Sequence, residues 1–233
     1  MSPPVSTQWM TIAPGFAGYL ALPPGGRGPG LLLWQEIFGV NAHIRAVAEQ
    51  YALDGFVVLA PDVFWRQAPR VDLGYVGADR ERALALMQAH AATDTLADID
   101  TAAAALRARP ELDGRIGTLG YCMGGRTAFL AAASGRFDAA VAYYGGGIQQ
   151  QLDRAAAIAC PVLFHHAGHD DHIPPESVHA VRQAMAGKDA EFHVYAGATH
   201  GFNCWARASY HASSAALAHG RTLVFLARHL HGA

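Results

Sequence analysis

A cysteine stands where the local sequence predicts a sharp turn between a strand and a helix. The segment Gly120-Tyr121-Cys122-Met123-Gly124 follows the apolar run 115–119 and precedes a helical stretch that starts at Arg126. Glycines on both sides of a nucleophile permit the close packing of strand against helix that such a strained turn requires. The pattern is that of a nucleophile elbow, with the thiol of Cys122 where a serine hydroxyl usually stands.

An elbow nucleophile needs an acid and a histidine further along the chain, in that order. Two adjacent aspartates, Asp170 and Asp171, lie in the segment that directly follows one apolar run, and His200 lies in the segment that follows the next. His200 would be the base and proton carrier, and one aspartate would hold its ring in the productive tautomer. His200 and the helix N-terminus would together favour the thiolate of Cys122.

Two backbone N–H groups are candidates for an oxyanion hole, one on Met123 and one on Ile37, which follows the first main strand. Histidines near the aspartates suggest a metal site, but they lack the regular i, i+4 pair of a helical metal site. Acyl transfer needs neither a metal nor a cofactor, so we expect none. The histidines in question are His165, His166, His169 and His172.

The elements that position these residues are visible as short apolar runs that alternate with helical segments. Apolar runs without polar alternation are typical of strands buried on both faces of a parallel sheet. The predicted strands are 30–34, 56–60, 115–119, 139–144, 161–166 and 191–195. The predicted helices are 43–54, 80–89, 95–107, 126–134, 177–185 and 213–229. The alternation predicts an α/β fold, a mostly parallel, doubly wound sheet with helices on both faces and functional residues at the carboxyl ends of its strands.

The remaining composition narrows the class of protein. The first 30 residues, with short apolar pieces between Pro and Gly, predict an antiparallel hairpin before the main sheet. The 233 residues, 52% of them hydrophobic, suffice for a single domain over 1–233. A net charge of -2 gives no field that would attract nucleic acid or an anionic membrane, so we expect a small-molecule partner.

Three cysteines without C-x-x-C spacing indicate free thiols in a reducing compartment. The sequence shows no signal-peptide pattern and no apolar run of membrane-spanning length. We therefore expect a cytoplasmic protein, either a monomer or a weak homodimer.

These residues resemble the dienelactone hydrolase family, a branch of the α/β-hydrolases with a cysteine nucleophile. The resemblance covers nearly the whole chain and implies the α/β-hydrolase fold. It also implies a reaction, the opening of a small carboxylate-bearing lactone (dienelactone to maleylacetate) through an acyl-thioester. The family's triad aspartate stands four residues before a proline, which favours Asp170, four before Pro174, over Asp171. The most specific segments are 35–41, 60–62, 117–125, 143–145 and 198–202.

The resemblance implies further roles that spacing does not identify. Glu36 matches a glutamate that keeps the resting thiol neutral and takes its proton when substrate binds. Arg80 matches one of two arginines that hold the substrate carboxylate. The second arginine is expected where this chain has Cys204, and the nearest arginine is Arg207. Two aromatic residues, Phe38 and Tyr143, would line the pocket.

Other functions remain alternatives. A small-ester hydrolase of different substrate range would use the same triad, and Cys204 in place of an arginine leaves the substrate open. A thiol redox sensor needs Cys122 but not Asp170 and His200 in this order. A peptidase or a carbon–carbon hydrolase is a third alternative, which a small pocket would disfavour.

Overall fold

The computed structural model describes residues 4–231, which contain eight strands and six α-helices. The chain divides into two compact units, Met1–Gly117 and Thr118–Ala233. The predicted single domain over 1–233 stays a prediction.

The first unit begins with the predicted antiparallel hairpin. Strands β1 (Ser6–Ala13) and β2 (Phe16–Leu22) pair antiparallel, and β2 also pairs antiparallel with β4 (Val57–Pro61). Strand β3 (Gly28–Trp34) pairs parallel with β4, which gives the order β1-β2-β4-β3. The hairpin is therefore confirmed, and β3 and β4 match the first two predicted main strands.

Three helices belong to the first unit: α1 (Ala42–Leu53), α2 (Gly77–Ala89) and α3 (Ala92–Arg107). The side chain of Asn41 caps α1 by accepting the N–H of Ile44 at 3.2 Å. A bidentate ion pair between Arg66 and Asp98, at 2.8 and 2.9 Å, ties the loop after β4 to α3.

Strand β5 (Leu112–Tyr121) contains the boundary between the units, and the second unit begins within it at Thr118. Strands β6 (Ala139–Tyr143), β7 (Val162–His169) and β8 (Ala190–Thr199) follow in spatial order, and β6–β7 and β7–β8 pair parallel. The helices of this unit are α4 (Met123–Ala133), α5 (Pro175–Ala184) and α6 (Ala212–Leu230).

Neighbouring residues of β7 show that helices cover both faces of this part of the sheet. Phe164 packs in a core cluster with Phe129 of α4 and Val181 of α5. The next residue, His165, bonds to Thr222 of α6. Successive side chains of a strand point to opposite faces, so α6 lies on one face and α4 with α5 on the other. The predicted doubly wound, mostly parallel sheet is confirmed.

Candidate active site

The cysteine occupies a strained turn between β5 and α4. Its backbone has φ 56° and ψ −116°, a conformation that residues with a side chain rarely adopt. A Cβ on Gly120 would collide with the backbone of Gly124, so the turn requires glycine at position 120. The N–H of Cys122 donates to the carbonyl of Tyr143 at 3.0 Å, which fixes the turn to the end of β6. The half-buried thiol is thereby held at the carboxyl end of β5.

The acid follows the last residue of β7. The carboxylate of Asp170 accepts the backbone N–H groups of His172 at 2.9 Å and Ile173 at 3.1 Å, and its side chain is 1% exposed. The neighbouring Asp171 is exposed. Of the two candidate aspartates, the one inside the loop is Asp170, and its hydrogen bonds organise that loop.

The histidine follows the last residue of β8. Nδ1 of His200 lies 2.9 Å from Oδ2 and 3.1 Å from Oδ1 of Asp170, and His200 also hydrogen bonds with Cys122. Burial by itself lowers the pKa of His200, but the hydrogen bonds with Asp170 and Cys122 outweigh it and raise the pKa to about 10. Burial is the largest single influence and raises the pKa of Asp170, but the hydrogen bond and charge of His200, together with the backbone N–H and charge of His172, outweigh burial and lower that pKa. At neutral pH the shared proton therefore resides on the imidazole.

Two further rings contact the imidazole of His200: that of Tyr144, which was not predicted, and that of His172, which was predicted only as one histidine of a possible metal site. Tyr144 meets it edge to face with centroids 5.1 Å apart, and His172 meets it at 4.8 Å with the planes at 81°. Tyr144 is buried with φ 35°, whereas His172 is exposed. Their places just after β6 and two residues after Asp170 were the available signals, since strand carboxyl ends carry functional residues.

The structure places Tyr143 in the core rather than beside the imidazole. Its side chain has no exposed surface, and its hydroxyl hydrogen bonds with Oγ1 of Thr222 at 2.7 Å. Its ring lies 4.6 Å from that of Tyr121. The ring in contact with His200 belongs to the next residue, Tyr144, and the place of Tyr143 in the pocket wall stays a prediction.

The turn after His200 brings Arg207 back toward the histidine. Gly201 has φ 80°, and a Cβ built on it would lie 2.6 Å from Nη1 of Arg207. The guanidinium therefore packs against the residue that follows His200. Cys204 is fully buried, and its carbonyl accepts the N–H of Arg207 at 3.1 Å. The arginine that packs beside His200 in this turn is therefore Arg207, three residues after the buried Cys204.

In the first unit, the residues after β3 form a fixed, buried loop. The side chain of Gln35 donates to the carbonyl of Glu36 and accepts the N–H of Val63, both at 3.1 Å. Glu36 is 1% exposed, and Ile37 and Phe38 are buried as well. The placement of these residues beside the thiol stays a prediction.

Arg80 lies near the start of α2 and is exposed. The same unit holds the ring of Phe38 edge on to Tyr75, with centroids 4.6 Å apart. The substrate contacts of Arg80 and Phe38 stay predictions. Met123, the other predicted oxyanion residue, is the first residue of α4 in the second unit, where N–H groups lack intrahelical acceptors.

Among residues 4–231, no group of three or more histidine, cysteine, aspartate or glutamate side chains is arranged to hold a metal ion. Within the same range, no helix is both long and apolar enough to cross a membrane.

The sheet, the strained cysteine turn and the acid and histidine at strand ends are those of an α/β-hydrolase. Solved structures share this fold. A candidate dienelactone hydrolase from Klebsiella pneumoniae superposes with a TM-score of 0.84 at 32% identity, over 96% of this chain and 99% of that chain. The dienelactone hydrolase from Anabaena variabilis, at 17% identity and a TM-score of 0.71, shares the fold over 98% of this chain and 100% of its own.

The chain belongs to the dienelactone hydrolase family, whose sequence profile it matches over residues 16–230. It is 36% identical over 214 residues to the carboxymethylenebutenolidase of Pseudomonas putida, which covers 91% of each chain. It is 34% identical over 215 residues to carboxymethylenebutenolidase 1 of Cupriavidus pinatubonensis, again over 91% of each. Membership of this family makes the chain an enzyme of the hydrolase class.

Proposed function

We propose that this chain opens a small, carboxylate-bearing lactone of the dienelactone type through an acyl-thioester on Cys122. The observation that carries the proposal is the hydrogen-bonded series Asp170, His200 and Cys122 at the ends of β7, β8 and β5. The Pseudomonas putida relative is named a carboxymethylenebutenolidase, which also supports the proposal.

In the first half of the reaction, the thiolate of Cys122 attacks the lactone carbonyl, and the new C–S bond gives a tetrahedral oxyanion. The N–H groups of Met123 and Ile37 are the proposed donors to that oxyanion. Collapse breaks the ring C–O bond, and the departing enolate oxygen takes the proton of His200. The product of this half is a ring-opened acyl-thioester with a neutral imidazole.

In the second half, His200 takes a proton from water, and the resulting hydroxide adds to the thioester carbonyl. The C–S bond then breaks, the acid product leaves, and the thiolate–imidazolium pair is restored. Asp170 stays ionised throughout and stabilises the imidazolium in both halves. This role agrees with its lowered pKa and its two backbone hydrogen bonds.

Glu36 is proposed to regulate the resting thiol. A buried carboxylate beside a thiol disfavours the thiolate by like-charge repulsion and can accept its proton. Its burial and the fixed loop around it are consistent with a specific position. The effect opposes that of His200, so substrate binding would decide which group holds the proton.

Arg80 and Arg207 are the proposed partners of the substrate carboxylate. A guanidinium binds a carboxylate through two parallel charge-assisted hydrogen bonds. Arg207 supports the proposal through its place against Gly201, next to His200. Phe38 and Tyr143 are the proposed apolar walls, with Tyr144 in contact with the imidazole of His200.

A neutral-ester hydrolase is the second candidate, favoured by one observation. Cys204, which stands where the family resemblance expects the second arginine, is fully buried and can offer no charge to a substrate. If Arg207 does not replace that arginine, preference for a charged lactone would be weak.

Comparing hydrolysis of dienelactone with that of neutral p-nitrophenyl acetate separates the two candidates. We expect Arg80→Ala and Arg207→Ala each to lower kcat/KM for the charged lactone by about 10–100-fold, with little change for the neutral ester. The matched control is Arg82→Ala, which removes an exposed arginine from the same helix as Arg80. Equal losses on both substrates would reject the carboxylate clamp. Full activity in Cys122→Ala would reject the thioester mechanism.

A further inference from the structure

Strand β8 leaves one edge of the second unit open. Within the described range it is the last strand in the spatial order, and it is ten residues long. It contains no proline and no lysine, and residues 190–195 pair with β7 without irregularity. Monomeric proteins usually protect a long edge strand with proline, lysine or a bulge, because its free N–H and C=O groups can pair with another chain.

A groove of about 490 Å³ lies between this edge strand and α6. Eight large apolar side chains in residues 4–231 are exposed, and three of them belong to these two elements: Val194 at 52%, Leu217 at 50% and Val224 at 62%. Leu217 and Val224 line the groove two helical turns apart. Apolar exposure concentrated beside an open edge is typical of a protein interface.

The charges of this surface are ordered along the strand. Nη1 of Arg228 lies 3.4 Å from Oε1 of Glu191, and the guanidinium of Arg221 lies 5.5 Å from the ring centroid of Tyr195. Helix α6 therefore runs antiparallel to β8, with an acidic group near the start of the strand and a cation further along it. In the described part of the chain, Arg221 contacts Tyr195 and pairs with no carboxylate.

We infer that β8 and α6 form the interface of a homodimer, in which two β8 strands pair antiparallel about a two-fold axis. An antiparallel two-fold joins the same edge of both strands, so each free N–H meets a free C=O. It places the Glu191 end of one strand beside the partner's Arg221, and it brings the apolar ridges of Leu217 and Val224 to the same boundary. A second copy of the chain would thus pair with the free backbone groups of β8 and cover the exposed side chains of Leu217 and Val224. It would also bring a carboxylate to Arg221.

The outer strand of the first unit does not share these properties. No residue of β1 belongs to the group of exposed large apolar side chains. Its largest side chain, Trp9, is covered by the ring of Tyr19 at 5.7 Å and by the guanidinium of Arg70 at 5.0 Å. The interface is therefore assigned to β8 and α6.

Sedimentation velocity over protein concentrations up to about 100 µM tests the inference, since weak specific dimers dissociate in the micromolar range. We expect the wild-type chain to form a dimer and Leu217→Glu/Val224→Glu to weaken the association at least tenfold. The matched control is Leu53→Glu, which places the same charge at an equally exposed leucine of α1. It should leave the association unchanged. Thermal unfolding and kcat/KM per subunit should match the wild type in both variants, because the changed side chains are exposed and lie outside the site.

Hydrogen exchange then separates strand pairing from packing of the helices alone. Backbone N–H groups of residues 190–195 should become more protected as protein concentration rises, and this dependence should vanish in the double variant. A wild-type chain that stays monomeric throughout would overturn the inference. So would a dimer that the double variant leaves intact, or one without concentration-dependent protection of β8.

Discussion

Three histidines of the second unit, two within β7 and one just beyond β8, have little exposed surface but opposite acid–base properties. His165 and His166 lie within β7, where burial is the main cause of lowered pKa values, well below the usual range for His165 and to about 4 for His166. His200, just beyond β8 and only 10% exposed, has a pKa raised to about 10. Burial is common to all three, so it cannot be the cause of the difference.

The groups that contact each ring explain the difference in pKa. His165 hydrogen bonds with two neutral hydroxyls, those of Tyr195 and Thr222, both at 2.9 Å. His166 stacks with Phe164 and Phe192, and neither of its ring nitrogens has a hydrogen-bond partner in residues 4–231. Only the ring of His200 has a carboxylate at hydrogen-bond distance. A buried imidazole in this protein becomes a proton carrier where a carboxylate holds it and a neutral packing element elsewhere.

The largest effect should come from removing that carboxylate. In Asp170→Asn the side chain keeps its shape and one oxygen for the N–H groups of His172 and Ile173, but it no longer stabilises an imidazolium. We expect kcat/KM to fall about 10³–10⁴-fold. Asp171→Asn, which changes the exposed neighbour, should retain wild-type activity. Steady-state kinetics would contradict the comparison if both variants lost activity equally.

The next largest effect is the loss of folding stability at acid pH that the buried ring of His166 causes. The unfolded chain protonates this ring near pH 6.5, whereas the folded chain does so near pH 4. The unfolded state therefore binds more protons between these values, so stability is complete above pH 6.5 and falls as the pH drops toward 4. The loss amounts to about 3 kcal/mol. We expect His166→Phe to remove this part of the acid slope.

Urea unfolding at several pH values between about 4 and 7 measures this slope. The matched control is His179→Phe, at an exposed histidine of α5, which should keep the wild-type slope. Arg182 and Asp170 act on the ring of His166 in opposite directions, and both remain in the two variants. An unchanged slope in His166→Phe would mean that the ring is not held neutral by its surroundings.

A smaller effect on stability is expected at His165, the buried histidine whose ring nitrogens both have hydrogen-bond partners. Oγ1 of Thr222 bonds both His165 and Tyr143, and Thr222→Val keeps the shape while leaving two buried polar groups without that partner. We expect a loss of about 2 kcal/mol in the free energy of unfolding, with little change in kcat/KM. Thr101→Val, at a partly exposed threonine of α3 whose hydroxyl donates to the carbonyl of Ala97 in an exposed hydrogen bond, serves as the control. Equal stability of the two variants would argue against a structural role for the buried network.

The triad candidates could be predicted from the sequence because each stands within five residues of the end of a predicted strand. Cys122, Asp170 and His200 are the first residues after β5, β7 and β8, and parallel strands bring such positions to one edge. The six predicted helices and six predicted main strands are also present. Local patterns sufficed because buried strands and amphipathic helices have distinct periodicities.

The ring that contacts the imidazole could not be predicted in the same way. At Tyr144 the backbone leaves the strand conformation, with φ 35°, so the alternation of side chains along β6 fails there. Tyr143 consequently turns into the core, and Tyr144 faces His200. The edge-on contact of His172 likewise depends on a loop that the hydrogen bonds of Asp170 shape. Both features arise from tertiary contacts rather than from local sequence.

The protonation state of His200 distinguishes an imidazole held as a proton carrier by a carboxylate from one that is neutral like His165 and His166. Nuclear magnetic resonance of the histidine ring carbons, assigned by comparison with His200→Gln, follows its titration between about pH 5 and 11. We expect His200 to stay protonated through neutral pH and to lose its proton near pH 10, and we expect Asp170→Asn and Cys122→Ser each to lower this pKa. A titration of His200 near pH 6.5, unmoved by either substitution, would contradict this expectation.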